Sequence, residues 1–288
     1  LIANDSFGAL AVAFNDTPIH SWSDSLISHL ATTHNLSLNR LSTNPELITS
    51  TNDPVGIYDL VLIKIPKTLS LLEDQLCRLK PHIHAKTVII GAAMSKHIHT
   101  STLKLFEKII GTTSTSRATK KARLIYAQND QTEIVDSPYP KIIHDDSMGI
   151  QLQNLANVFA NEHLDIGTRF LLETIKKHLN QNDTCCGNGI LGIVAKQLMP
   201  NANISFTDES YAAVASAKMN YLNQTEDESC KDAEFIKSNS LDQYQGKSPD
   251  LILCNPPFHQ AHAVGDHIAW TMFKQSQQKL LNNGELWV

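Results

Sequence analysis

Residues 250–258 read Asp-Leu-Ile-Leu-Cys-Asn-Pro-Pro-Phe, an apolar run that ends in an amide, two prolines and an aromatic ring. The apolar part predicts a strand buried on both faces of a parallel sheet. The prolines end that strand because they fix φ and lack a backbone N–H. Asn255 and Phe258 are therefore expected on a rigid turn at the carboxyl end of the strand, where open α/β sheets bind their ligands.

This turn is suited to an exocyclic amine that attacks an electrophile. The Asn255 side-chain oxygen and the Pro256 carbonyl could accept both amine N–H groups and orient the nitrogen lone pair. The Phe258 ring offers a face on which a nucleobase can stack. The same residues also fit a plain strand-to-turn junction. The tetrapeptide Asn-Pro-Pro-Phe, residues 255–258, favours neither interpretation by itself.

A glycine-rich segment upstream favours the chemical interpretation. Residues 185–192 read Cys-Cys-Gly-Asn-Gly-Ile-Leu-Gly and precede apolar residues at helical spacing. Gly187 and Gly189 would let the backbone approach a cofactor at a helix N-terminus. A second predicted strand, residues 203–208, ends in Asp208, which could bind ribose hydroxyls or form the N-cap of the next helix.

In this order and spacing the motifs resemble the class I S-adenosylmethionine-dependent methyltransferases, specifically the amino-methylating branch with Asn-Pro-Pro-aromatic. Residues 164–172, 186–189, 208–210 and 254–260 together resemble the bacterial ribosomal RNA guanine-N2 methyltransferases. Residues 259–273 are most similar to the large-subunit enzymes, with the small-subunit enzymes next. The resemblance implies methyl transfer from S-adenosylmethionine to guanine N2 in 23S ribosomal RNA, by a cytoplasmic monomer.

The resemblance also implies roles for individual residues. Gly187, Asn188 and Gly189 would form the cofactor-binding loop, and Asp208 would bind the ribose hydroxyls. Asn239 would lie beside the adenine, and the segment with Asp165, Gly167 and Thr168 would close over the methionine end. Asp165 could equally be a helix N-cap. Asn255, Pro256 and Phe258 would hold the target guanine, with His259 and His262 lining the substrate pocket.

The sequence departs from this family at two places. Between residue 179 and Cys185 stand only five polar residues, 180–184, where the family has the first strand of its sheet. We expect residues to be missing there. Residues 284–288 read as the fifth strand, and the family's sheet has two more, so the chain is expected to be a fragment.

The N-terminal half resembles a degenerate copy of the C-terminal half. Residues 59–67, Asp-Leu-Val-Leu-Ile-Lys-Ile-Pro-Lys, repeat the apolar strand of residues 250–258, with Lys64 in the place of Asn255 and Lys67 in that of Phe258. Such a copy keeps its packing and loses its chemistry. The fold expected is therefore α/β, with two tandem Rossmann-like domains at 1–127 and 161–288, joined by a linker at 128–160.

Charge is divided unequally between the halves. Residues 1–127 hold 13 Lys and Arg against 9 Asp and Glu, whereas residues 128–288 hold 11 against 20. Lys120, Lys121 and Arg123 form a basic cluster that could bind RNA phosphates, although a cluster this small also fits a solvated loop. The RNA expectation rests on the resemblance, because the chain is acidic overall.

Composition argues against several other classes. No apolar run has the length of a membrane span. The five cysteines lack Cys-x-x-Cys spacing, and closely spaced histidine pairs such as His82 and His84 have no carboxylate or cysteine at ligand spacing beside them, so we expect no metal. Two rival functions remain. One is amino methylation of adenine N6 or protein glutamine, which shares the tetrapeptide. The other is non-catalytic RNA binding, which the intact motif residues disfavour.

Overall fold

The computed structural model describes residues 1–41, 44–145, 149–158, 166–178, 185–186, 189–225, 232–256 and 265–288. The chain divides into two compact units, unit one at Leu1–Tyr139 and unit two at Pro140–Val288. The segment expected as a linker, residues 128–160, is thus shared between the units, and its second part contains an antiparallel pair of strands. These strands are β8 and β9, whose bounds are given below.

Unit one contains a seven-stranded sheet in the order β3-β2-β1-β4-β5-β7-β6. Its strands are β1 (Ile2–Ala3), β2 (His20–Ser23), β3 (Glu46–Thr49), β4 (Tyr58–Lys64), β5 (Ile83–Met94), β6 (Thr113–Thr115) and β7 (Ala122–Ala127). The first five strands are parallel, and β7 runs antiparallel to both neighbours. The strand order reverses between β1 and β4, and the carboxyl ends of these two strands border the usual ligand crevice of such a sheet.

Helices cover this sheet and complete the core of unit one. They are α1 (Ala9–Ala13), α2 (Leu26–Leu38), α3 (Leu69–Leu79) and α4 (Thr100–Ile109). Alternate residues of β4 and β5, including Val61, Ile63 and Ile89, pack with Leu72 and Phe106 from α3 and α4. Complete burial of one such side chain contributes about 1.5–3 kcal/mol, so these contacts hold the helices on the sheet.

Unit two repeats much of this plan. Its strands are β8 (Lys141–Asp145), β9 (Ile150–Asn154), β10 (Cys185–Cys186), β11 (Ile204–Asp208), β12 (Ala233–Lys237), β13 (Leu251–Leu253) and β14 (Glu285–Trp287). Its helices are α5 (Ile166–His178), α6 (Ile190–Leu198), α7 (Tyr211–Gln224) and α8 (Gly265–Lys279). The parallel strands β10-β11-β12 and β13-β14 meet where β10 contacts β13. The order β12-β11-β10-β13-β14 therefore repeats β3-β2-β1-β4-β5.

The elements expected around the motifs are present. The strand before Asn255 is β13, whose residues are all buried, and residues 284–288 contain the expected fifth strand, β14. β10 (Cys185–Cys186) has the position of the first strand of the family's sheet, which the sequence did not predict because only the polar residues 180–184 stand before it. The preceding residues 179–184 lie outside the described part, so the expected gap in the sequence stays a prediction.

Aromatic packing fixes the central part of unit two. Phe206 of β11 stacks on Phe235 of β12, with ring centroids 4.9 Å apart, and Tyr221 of α7 meets both rings edge-on. The contacts align β11 and β12 beneath α7, so their carboxyl ends lie side by side at one edge of the sheet. Within the described ranges of the chain, no helix has both the length and the apolar character to cross a membrane.

Candidate functional site

The Asn-Pro-Pro turn follows β13 at the carboxyl edge of the sheet in unit two. Cys254 donates its backbone N–H to Trp287 O at 2.9 Å, which extends the pairing with β14 up to the turn. Asn255 is half-buried and Pro256 is buried. The turn therefore leaves a partly accessible carboxamide on a fixed backbone. Residues 257–264, which include Phe258, His259 and His262, lie outside the described residues.

The Asn255 carboxamide is held from the first turn of α5. Its Nδ2 donates to Thr168 Oγ1 at 3.1 Å, across 87 residues of sequence. Thr168 is buried, with 9% of its surface exposed, whereas the neighbouring Gly167 is exposed. The structure thus brings together two residues that were predicted for different roles. Asp165 lies outside the described residues.

Cys254 adjoins Asn255 but offers no thiolate. Burial raises the pKa of its thiol to about 12. The thiol stays protonated at physiological pH and is a poor nucleophile, because the thiolate is the reactive form. Among the described residues of the turn, the Asn255 carboxamide and the Pro256 carbonyl are the polar groups that can exchange hydrogen bonds with a ligand.

Gly189 begins helix α6 in the left-handed conformation, with φ of 90°. A Cβ atom there would lie 2.9 Å from Ala217 Cα, so α6 and α7 pack too closely for any side chain. The expected glycine turn before a helix is therefore present at Gly189. Gly187 and Asn188 lie outside the described residues.

Asp208 ends β11 and shapes the turn that leads into α7. Its Oδ1 accepts the backbone N–H of Ser210 at 2.9 Å. Ser210 is the N-cap, since its hydroxyl oxygen accepts the N–H of Ala213 at 3.0 Å. The alternative that Asp208 forms this N-cap is therefore wrong. A turn-forming carboxylate at the strand end remains suited to ribose hydroxyls.

Asn239 lies on the neighbouring turn after β12. The preceding Ser238 is fully buried and donates its N–H to Asp208 O at 2.8 Å, which ties the two turns together. The Asn239 side chain donates to Asp242 Oδ2 at 3.0 Å. Asp208 and Asn239 are thus brought to adjacent strand ends. Ser238 was not singled out in the sequence, because a serine after a strand is common in turns.

At the equivalent sheet edge of unit one, side chains bond to one another. Asn4, after β1, and Gln75, from α3, exchange two amide hydrogen bonds of 2.8 and 3.0 Å. Lys64, at the end of β4, donates to the Ser6 hydroxyl. The residue in the place of Asn255 is therefore an exposed lysine that bonds within unit one.

The basic cluster of unit one lies on the hairpin between β6 and β7. Lys120 and Lys121 are its exposed tip residues, and both adopt left-handed φ, 48° and 65°. Ser95 donates its backbone N–H to Lys121 O at 2.7 Å, which fixes the tip beside Lys96. Arg123 instead braces the hairpin, because its guanidinium donates to Ser116 O and Thr115 Oγ1. Lys120 and Lys121 are thus exposed cations at the tip, and Lys96 and Arg117 are exposed as well.

Comparison with known proteins identifies the family. The RLMG N-terminal domain matches residues 1–131, and the methyltransferase small domain matches residues 149–288. Ribosomal RNA large subunit methyltransferase G of Klebsiella pneumoniae is 45% identical over 291 residues, which cover 100% of this chain and 77% of that protein. The chain belongs to the large-subunit methyltransferase G family. The Yersinia pestis member is 44% identical over 301 residues, covering 100% of this chain and 73% of its own length.

A solved structure supports the architecture of this methyltransferase G family member. A T. thermophilus 16S rRNA N2-guanine methyltransferase, in complex with AdoMet and guanosine, matches 99% of this chain and 77% of its own, with a TM-score of 0.79 at 16% identity. This confirms the expected α/β fold with two methyltransferase-like domains. The predicted S-adenosylmethionine-dependent methyltransferase class is confirmed by the family. Among the residues that the structure describes, no group of three or more His, Cys, Asp or Glu could hold a metal ion.

Proposed function

We propose that unit two transfers a methyl group from S-adenosylmethionine to the exocyclic N2 of a guanine in 23S ribosomal RNA. Membership of the methyltransferase G family supports the large-subunit RNA as substrate. The observation that carries the chemistry is the Asn255 carboxamide at the end of β13, held by Thr168 at 3.1 Å. Substrate RNA of this kind places the reaction in the bacterial cytoplasm, and we propose a monomer.

The residues at this sheet edge fit a nucleoside-bearing methyl donor. Asp208 provides a carboxylate acceptor for ribose hydroxyls, and Asn239 follows the adjacent strand on the adenine side. Gly189 begins α6, and the first N–H groups of a helix are suited to bind an anionic or polar ligand group. When bound, S-adenosylmethionine supplies an electrophilic methyl group on a positively charged sulfur.

Asn255 would prepare the guanine amine by hydrogen bonding. The Oδ1 atom accepts one amine N–H and the Pro256 carbonyl accepts the other, which turns the nitrogen lone pair toward the methyl group. Both acceptors also stabilise the positive charge that develops on nitrogen before its proton leaves to solvent. Positioning is the main requirement, because the sulfonium is a good leaving group. Phe258 is proposed to stack on the base, and His259 and His262 to line its pocket.

Unit one is proposed to hold the RNA. Its exposed Lys120 and Lys121 would bind phosphates and raise the local concentration of RNA near the methyltransferase unit. Arg123 contributes by bracing the hairpin, since its guanidinium is already bonded within it. The mutual hydrogen bonds of Asn4 and Gln75 at the equivalent edge of unit one support a binding role without catalysis.

The test is methylation of deproteinised 23S and 16S ribosomal RNA by the wild type and by Asn255→Ala. We expect N2-methylguanine in 23S RNA alone, and a loss of about 10²–10³-fold in kcat for the variant at unchanged cofactor affinity. Methylation of 16S RNA instead would assign the small-subunit reaction. N6-methyladenine, or near-normal turnover by Asn255→Ala, would refute the proposed chemistry.

A further inference from the structure

The contact between Asn255 and Thr168 links two parts of unit two that have different expected roles. Asn255 belongs to the turn that is proposed to hold the guanine. Thr168 belongs to the first turn of α5, which family resemblance assigns to the methionine end of the cofactor. The 3.1 Å hydrogen bond from Asn255 Nδ2 to Thr168 Oγ1 shows that the Thr168 hydroxyl contacts the residue proposed to bind the guanine.

The orientation of the Asn255 amide determines whether it can serve the reaction. A carboxamide presents an acceptor oxygen on one side and a donor NH₂ on the other. An amine substrate can bond to Oδ1, whereas a flipped amide would set N–H groups against N–H groups. Because Thr168 accepts from Nδ2, the acceptor oxygen points away from Thr168.

Burial makes this contact an effective constraint. Thr168 is 9% exposed and lies in a regular helix, so its side chain has few alternative positions. The next residues of α5, Leu171, Leu172 and Ile175, are packed into the core of unit two, which fixes the helix relative to β13. Loss of the hydroxyl would therefore remove one restraint on the orientation of the amide.

We propose that Thr168 is a positioning residue for methyl transfer, which holds the Asn255 carboxamide with its oxygen toward the substrate amine. This rests on the proposed function of Asn255 as the amine acceptor. Thr168 therefore acts on the rate of transfer through Asn255, in contrast to the cofactor-binding role that the resemblance implies for it.

The test compares three substitutions in the full chain. Thr168→Val keeps the branched shape and removes the hydroxyl, whereas Thr168→Ser keeps the hydroxyl. Thr174→Val is the matched control, since Thr174 lies on the same helix and its hydroxyl donates to the backbone oxygen of Phe170 at 2.9 Å. Each variant is measured for kcat and KM with 23S RNA, for S-adenosylmethionine affinity by calorimetry, and for thermal midpoint.

We expect Thr168→Val to lower kcat by roughly 10–100-fold, with cofactor affinity, KM and thermal midpoint near wild type, because one oriented acceptor is lost from the transition state. Thr168→Ser should recover most of the rate, and Thr174→Val should retain it. In the background of Asn255→Ala, Thr168→Val should cause little further loss, since it acts through that amide.

Three results would overturn the proposal. A parallel loss of cofactor affinity in Thr168→Val would assign the hydroxyl to the cofactor. An equal loss in Thr168→Ser would show that shape matters and the hydroxyl does not. Normal kcat in Thr168→Val beside an inactive Asn255→Ala would remove the role of Thr168 and leave the proposed function standing, whereas an active Asn255→Ala would refute that function itself.

Discussion

Ser23 of unit one and Asp208 of unit two occupy equivalent positions. Ser23 Oγ accepts the backbone N–H of Ser25 at 3.1 Å, as Asp208 Oδ1 accepts that of Ser210 at 2.9 Å. Ser25 and Ser210 are both helix N-caps. The two units thus build the same turn, in which unit two has the Asp208 carboxylate at the position where unit one has the Ser23 hydroxyl.

This equivalence provides a substitution that separates binding from folding. Asp208→Ser should preserve the turn, because a serine forms it in unit one. It should lower S-adenosylmethionine affinity by about tenfold or more, since a charge-assisted hydrogen bond to ribose contributes roughly 1.5–3 kcal/mol. Calorimetry measures the affinity, and the thermal midpoint reports the fold. Ser23→Ala is the control, which should leave cofactor affinity unchanged. An Asp208→Ser variant with wild-type affinity would exclude the ribose role.

Gly8 and Gly189 should both resist substitution because of helix packing. Gly8 has φ of 70°, and a Cβ there would lie 2.5 Å from Thr32 Cα, a clash like that of Gly189 with Ala217. Gly56 also has positive φ, 82°, but faces open space. We expect Gly56→Ala to cost about 1–2 kcal/mol in unfolding free energy, from φ alone, and Gly8→Ala to cost more. Chemical denaturation measures both, and equal costs would contradict the packing argument.

The two hairpin lysines should reduce stability while they improve RNA binding. Non-glycine residues in left-handed φ are strained, and two-residue hairpin turns of this kind favour Asn-Gly. Replacing Lys120→Asn together with Lys121→Gly should therefore raise the thermal midpoint. The same change should weaken RNA binding and reduce its dependence on salt, since two phosphate contacts are lost.

The control for the hairpin removes two other exposed charges of unit one. Lys104→Ala with Lys108→Ala changes the net charge equally on α4, away from the tip. Filter binding across a salt series compares the RNA affinity of the Lys120 and Lys121 double variant with that of the Lys104 and Lys108 double variant. An equal loss of RNA affinity in both pairs would indicate a diffuse charge effect and would contradict a site at the tip.

Lys80 should stabilise unit one through the segment after β7. Its buried Nζ donates to Ile110 O, Asn129 Oδ1 and Gln131 O, so one cation satisfies three oxygens from two segments. Lys80→Met should leave the Asn129 and Gln131 oxygens without this donor, while Ile110 O keeps the backbone N–H of Gln131, and should lower the unfolding free energy by about 2 kcal/mol. Lys104→Met on the exposed surface should change it little. An unchanged free energy in Lys80→Met would show that the oxygens find other partners.

Lys80 also predicts a pH dependence. Burial lowers its pKa below the ordinary lysine value. Between the folded and the unfolded pKa the unfolded chain binds more protons at this site, so unfolding free energy should rise with pH in that alkaline window. The difference between wild type and Lys80→Met isolates this contribution. A difference that falls with increasing pH would contradict the sign of the pKa shift.

The sequence predicted those parts of the site that depend on local pattern. Prolines and an apolar run defined β13 and its turn, and the copy at residues 59–67 predicted β4. Contacts between distant segments were not predictable, because no local pattern records them. The bond from Asn255 to Thr168 and the bracing of the hairpin by Arg123 are of this kind. The strands β8 and β9 lie within the segment predicted as a linker, although Ile150 and Leu152 alternate as strand residues do.

The paired amides of Asn4 and Gln75 have a consequence for binding stoichiometry. A duplicated fold offers two equivalent sheet edges to the same ligand. In unit one the amides of Asn4 and Gln75 bond to each other at that edge. Saturation should thus be reached at one equivalent of S-adenosylmethionine per chain. Lys64→Asn together with Lys67→Phe should not create a second active centre, because the paired amides of Asn4 and Gln75 would remain at that edge.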